Sequence, residues 1–132
     1  MKRVIGIGGV FFQAKDPKAL REWYGRHLGI DIEPWGGTAF PWNTPDAPPG
    51  GGMTVWSIGK INPEAFAPST APFAINYIVA DVDALVATLR EEGCDVPKEI
   101  EDSEYGKFGW VMDPEGNRVE LWQPPAATPG PG

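Results

Sequence analysis

Residues 113–124 read Asp113-Pro114-Glu115-Gly116-Asn117-Arg118-Val119-Glu120-Leu121-Trp122-Gln123-Pro124. The first five make a turn: Pro114 pre-sets φ, Gly116 takes a positive φ without a steric penalty, and Asp113 and Asn117 can bond their own backbone. The rest alternates polar with branched or aromatic side chains, as a strand does. The preceding Gly109-Trp110-Val111-Met112 is apolar, so the whole reads as a hairpin. Glu120 is the misfit. Carboxylates are depleted in strands, and burying one unpaired costs several kcal/mol, roughly. It is either a solvent-facing side chain or a functional one.

Working outward, Phe73-Ala74-Ile75-Asn76-Tyr77-Ile78-Val79 reads as a strand. Asp81 caps a helix with an apolar stripe of Val82, Leu85, Val86 and Leu89, ended by Gly93. Cys94-Asp95-Val96 begins a further strand, and Pro97 to Lys107 is an acidic loop. Upstream, Val4 to Phe12 is a buried first strand. Its apolar run behind Met1-Lys2-Arg3 mimics a signal peptide, but three glycines and the absence of a cleavage pattern argue against export. Asp16 and Pro17 open a second helix, with Leu20, Trp23, Tyr24 and Leu28 on one face and Gly29 as its stop. His27, the sole histidine, suits the end of that helix. Short strands are expected at Ile30–Glu33, around Thr38–Trp42 and over Met53–Ile58. The Gly- and Pro-rich Asn43–Gly52 is a loop and a candidate lid. Residues 59–72 carry three prolines and form a linker.

One unit thus occurs twice: strand, helix, three strands, at 4–58 and at 73–124. A single unit leaves one sheet face bare, so two must pair, within a chain or between chains. The expectation is an α+β fold of two βαβββ modules, in one domain over residues 1–124, with an untethered tail at 125–132.

Residues 108–122, Phe108 to Trp122, resemble the closing hairpin of the glyoxalase / bleomycin-resistance / extradiol-dioxygenase superfamily, the vicinal oxygen chelate proteins. The resemblance extends over nearly the whole chain and implies curved mixed sheets around a cleft, commonly in a homodimer. It also implies metal ligands: a histidine in each module's first strand and a carboxylate or other donor in each last strand. Here Gly9 and Ala74 stand at the histidine places. Met53–Ile58 offers no Asp, Glu or His, and only Glu120 remains. A register slip of two would bring Asn76 in place of Ala74. A divalent transition metal wants three or four N, O or S ligands, so the expectation is no cofactor and no metal site.

By strand parity, Arg118 and Trp122 share a side with Glu120, as do Phe11 and Gln13 with Gly9, and Asn76 with Ala74. Trp42, Trp56 and Trp122 are candidates for stacking on a planar ligand, while Trp23 and Trp110 read as core. The cleft is then aromatic with a few polar groups, as small-molecule sites are. Phe11, Gln13, Trp42, Trp56, Asn76, Arg118 and Trp122 are the candidate ligand-binding residues. Two functions fit: a metal-independent module binding a small, partly aromatic molecule, or a lyase, isomerase or dioxygenase-type enzyme using Glu120 as general base or metal ligand.

The charge of −7 argues against nucleic acid or an anionic membrane as partner. No stretch approaches the ~20 apolar residues of a membrane helix. A lone cysteine, Cys94, forms no intrachain disulfide and suits a reducing cytoplasm.

Overall fold

The computed structural model describes residues 3–43, 45, 47–48 and 51–125. All but Pro125 of the expected tail, and part of the expected lid at Asn43–Gly52, lie outside them.

Seven strands and two helices follow in the order β1 (Val4–Ala14), α1 (Pro17–Leu28), β2 (Gly37–Trp42), β3 (Gly52–Lys60), β4 (Phe73–Val79), α2 (Val82–Glu91), β5 (Glu101–Ser103), β6 (Gly106–Met112) and β7 (Arg118–Gln123). They form one curved, unclosed mixed sheet in the order β2-β3-β1-β4-β7-β6-β5. The helix signals act as read. Asp16 accepts from the Ala19 amide and Asp81 from the Ala84 amide, and Gly29 and Gly93 take positive φ past the helix ends.

The two modules join inside one chain, through the antiparallel pair β1–β4. On either side of that seam each module repeats one device: its first strand pairs in parallel with its last, β1 with β3 and β4 with β7. Both helices lie on the same face. Under α2, Val79, Val82, Val86 and Leu121 form a buried cluster. Under α1, Ala14, Trp56 and Ile58 form another, with Val10, Phe12, Leu20 and Tyr24 packed on it.

Three expected features differ. Ile30–Glu33 pairs with no strand; Ile30 and Ile32 pack into the α1 cluster instead, so their alternation serves burial and not a ladder. Module one is therefore one strand short. Cys94–Val96 is not a strand either. Val96 packs under α2 and Pro97, which lacks an N–H, ends any pairing. The third strand of module two comes instead from within the acidic loop, where Glu101 pairs with Phe108. Finally, the first strand is not buried throughout: Val4 and Ile7 are exposed.

Candidate functional site

The helix-free face carries the candidate site, and strand register builds it. Ala39 pairs with Val55, Val55 with Gly9, Gly9 with Asn76, Asn76 with Glu120, and Glu120 with Trp110. One row of six residues thus crosses the sheet through its seam. Counting back from the Asp81 cap makes Ala74 the counterpart of Gly9, and the two do not pair: Ala74 lies opposite Phe11 and Asn76 opposite Gly9, so it is Asn76 that joins the row. β1 carries an irregularity between Ile7 and Gly9, which leaves Gly8 as an extra residue.

Within the row Glu120 is half-buried and accepts two hydrogen bonds. Asn76 Nδ2 donates to Oε1 at 2.6 Å and Trp110 Nε1 to Oε2 at 3.0 Å. Asn76 is only 2% exposed, and its Oδ1 has no partner. Since an ionised carboxylate accepts only, the bond to Glu120 fixes which end of the amide faces it. Gly8 makes the arrangement possible: a Cβ there would collide with Asn76 Oδ1 and approach Ile78 and Trp122 within 3 Å. Phe11 folds back so that its ring covers Gly9, and a Cβ at Gly9 would come within 2.6 Å of it.

The candidate residues divide by what they touch. Phe11, Asn76, Glu120 and Trp122 converge around Gly8 and Gly9. Trp122 also stacks on Phe108, with ring centroids 6.0 Å apart, and donates to Tyr105 O. Arg118 and Gln13 are engaged elsewhere. Arg118 donates to Ala67 O and Ala65 O, and Gln13 Nε2 to Asn62 O, so both hold down the connector between β3 and β4. Trp42 donates to Thr54 Oγ1 and lies over Gly6 and Gly52 at the end of the sheet. Trp56 corrects the expectation outright. It pairs with Val10 and points to the helix side, edge-on to Phe12 and Tyr24, where it is core. Trp23, read as core, is half-exposed beside His27. Trp110 is buried as read, but it is also Glu120's partner, which sequence reasoning missed. The signal was available: counting back from the Asp113–Asn117 turn pairs 110 with 120.

The row can be tested against the metal site that the resemblance implies. Glu120 is one anionic donor, its oxygens already bonded to two N–H groups. Asn76 offers one amide oxygen, Gly9 and Val55 none. Among the described residues no group of three or more His, Cys, Asp or Glu comes together. These side chains do not fit a transition-metal ion. No helix among them is long and apolar enough to cross a membrane.

Solved structures share the architecture. Methylmalonyl-CoA epimerase from Mycobacterium tuberculosis is 18% identical, with a TM-score of 0.63 over 95% of this chain and 91% of that one. A Streptomyces coelicolor methylmalonyl-CoA epimerase variant, in complex with 2-nitronate-propionyl-CoA, is 20% identical, with a TM-score of 0.66 over 92% and 98%. A glyoxalase/bleomycin resistance protein/dioxygenase superfamily member from Vibrio splendidus 12B01 is 15% identical, with a TM-score of 0.56 over 89% and 97%. At these identities the likeness is one of fold. No curated protein sequence matches the chain. The family model described as a glyoxalase-like domain matches residues 9–122, a span that holds the seam from Gly9 onward, both parallel strand pairs and the whole Gly9–Asn76–Glu120–Trp110 row, and the chain belongs to that family.

Proposed function

We propose that this protein binds a small, partly aromatic molecule on the helix-free face of its sheet, without a metal ion. The observation that carries the reading is the composition of the row. Where the superfamily resemblance implies four metal donors, Gly9 and Val55 in the row and Ala74 beside it offer none, and Glu120 is bonded to Asn76. What they leave is a floor with two fixed polar groups among the rings of Phe11, Phe108, Trp110 and Trp122. An apolar surface with a few oriented polar groups is the usual form of a small-molecule site. Flat rings add favourable stacking geometry.

Two measurements on purified protein test this together: elemental analysis, and tryptophan fluorescence during titration with a panel of aromatic compounds. The expected result is metal well below one equivalent and saturable quenching by some of the panel, unchanged by a chelator. A stoichiometric metal ion that is lost on Glu120→Ala would overturn the reading.

A second reading makes Glu120 a general base for an isomerase or lyase step. It draws support from the way Asn76 and Trp110 clamp the carboxylate in one orientation while each oxygen keeps a lone pair. Turnover retained by Glu120→Gln would dispose of it. A homodimer belongs to the first reading as well. Its support is the outer face of α1, where Trp23 is 50% and Leu28 61% exposed, and light scattering on the eluting protein tests it. The exposed free thiol of Cys94 fits a cytoplasmic setting.

A further inference from the structure

We infer that the molecule held on this face carries a cationic nitrogen beside its apolar part. The inference rests on the proposed use of the face and adds the charge of its ligand.

The argument begins with Glu120. The carboxylate is half-buried, and among the described residues no Lys, Arg or His comes within ion-pair distance of it. Its two bonds come from neutral N–H groups. Two cations do reach the neighbouring Trp110 ring, but both are committed. Lys98 Nζ lies 4.3 Å from the ring centroid and 2.7 Å from Glu101 Oε2. The Arg118 guanidinium lies 5.7 Å from the same centroid and donates to the carbonyls of Ala65 and Ala67. A partly buried negative charge without a counter-charge is costly, and a cation arriving with the ligand offsets that cost.

The second observation is what else the middle of the row offers. Asn76 is 2% exposed; one of its two Nδ2 hydrogens is bonded to Glu120, and its Oδ1 is sealed and without a donor. The polar group there that a ligand can reach is the Glu120 carboxylate, which repels an anion. A protonated amine or amidinium finds the carboxylate. The ring faces of the Phe108–Trp122 stack and of Phe11 also favour a cation over an anion. The overall charge of −7 draws cations to the molecule.

The test uses the full chain and three probes that share a phenyl group and chain length but differ in charge: 2-phenylethylamine, 2-phenylethanol and 3-phenylpropionate, each titrated calorimetrically. The amine is expected to bind at least about tenfold more tightly than the alcohol, a ratio in keeping with a partly desolvated charge pair, and the acid more weakly than either. Glu120→Gln, checked for folding by circular dichroism, is expected to bring the amine down to the level of the alcohol. Equal affinity across the three, or an amine preference that survives Glu120→Gln, would overturn the inference. The wild-type series stands alone if the variant does not fold. Binding of the alcohol or the acid without preference for the amine removes the charge while leaving the face a ligand site. Binding of none removes both.

Discussion

The two halves of this molecule share a scaffold and differ in what hangs on it. Each has a parallel pair of strands beside the seam and a helix capped by aspartate. Module two keeps chemistry in its half of the row, Asn76 and Glu120, while module one holds Gly9 and Val55 at the matching places. Charge divides along the same line. Residues 1–60 contain seven of the eleven Lys and Arg but five of the eighteen Asp and Glu; residues 61–132 contain four and thirteen. Packing divides too. α2 buries Val82 and Val86, whereas α1 buries no residue and leans on the sheet through Leu20, Tyr24 and an Arg21 guanidinium bonded to Ile58 O. The lesson is that a duplicated frame fixes where side chains point without fixing what they do.

The packing difference predicts the largest effect. Val86→Ala removes two methyl groups from a site that is 1% exposed, and is expected to cost roughly 2–3 kcal/mol of unfolding free energy. Leu20→Ala, the matching truncation on half-buried α1, is expected to cost about 1 kcal/mol. Urea unfolding of the pair measures both. Equal losses would mean that α1 is held as firmly as α2.

The second contrast lies between neighbouring glycines. Gly8→Ala drives a Cβ against the Asn76 amide, which is itself tied to Glu120, and overpacking of this kind costs roughly 1–3 kcal/mol. Gly9→Ala meets the ring of Phe11 first, which can rotate on its own χ angles, so a loss under about 1 kcal/mol is expected. Thermal melts of the two variants decide it, and the reverse order would show that the Asn76–Glu120 bond yields easily.

These contrasts mark what the sequence made legible. Local signals carried most of the frame: the Asp16 and Asp81 caps, the Gly29 and Gly93 stops, the period-two strands and the Asp113–Asn117 turn are each decided by a few adjacent residues. Glu120 stood out because a strand carboxylate needs a reason. Which residues face one another across the seam was not legible: Gly9 and its counterpart Ala74 do not pair, Asn76 stands in the row, and no local pattern records that register. Trp56 was misplaced for a related reason. Its face is set by the parallel partner Val10, not by its own alternation. Ile30–Glu33 shows the limit of periodicity, since burial against a helix and pairing in a sheet leave the same trace.

A smaller effect concerns the connector at 61–72, where the halves meet a second time. Arg118 of module two and Gln13 of module one each donate to its carbonyls. Arg118→Ala removes two charge-assisted bonds from an exposed segment. Global stability is expected to fall by no more than about 1 kcal/mol. Backbone amides between Asn62 and Ser69 should exchange with solvent faster, while those of β7 stay slow. Unchanged exchange in the connector would mean that Gln13 and the Ile61 amide bond to Ala14 O hold it alone.

The smallest effect contrasts the two hairpins. β2 and β3 are joined by a loop from Asn43 to Gly51, β6 and β7 by five residues tied to one carboxylate. Asp113 accepts from the Asn117 side chain and from the amides of Glu115 and Asn117. Those bonds, the Asn117 side chain's foremost, hold the Asp113 carboxyl below its ordinary value. A lowered folded-state pKa stabilises the fold above the unfolded-state value, and that contribution disappears as pH falls through the folded-state value. Asp113→Asn should therefore melt below the wild type at neutral pH. The gap should narrow only once pH drops beneath the ordinary carboxylate range, where wild-type Asp113 is protonated too. The turn directly precedes Arg118, so loosening it should also loosen the register that sets Glu120 opposite Trp110. A melting difference that is flat with pH would place the benefit of Asp113 in its shape and not in its charge.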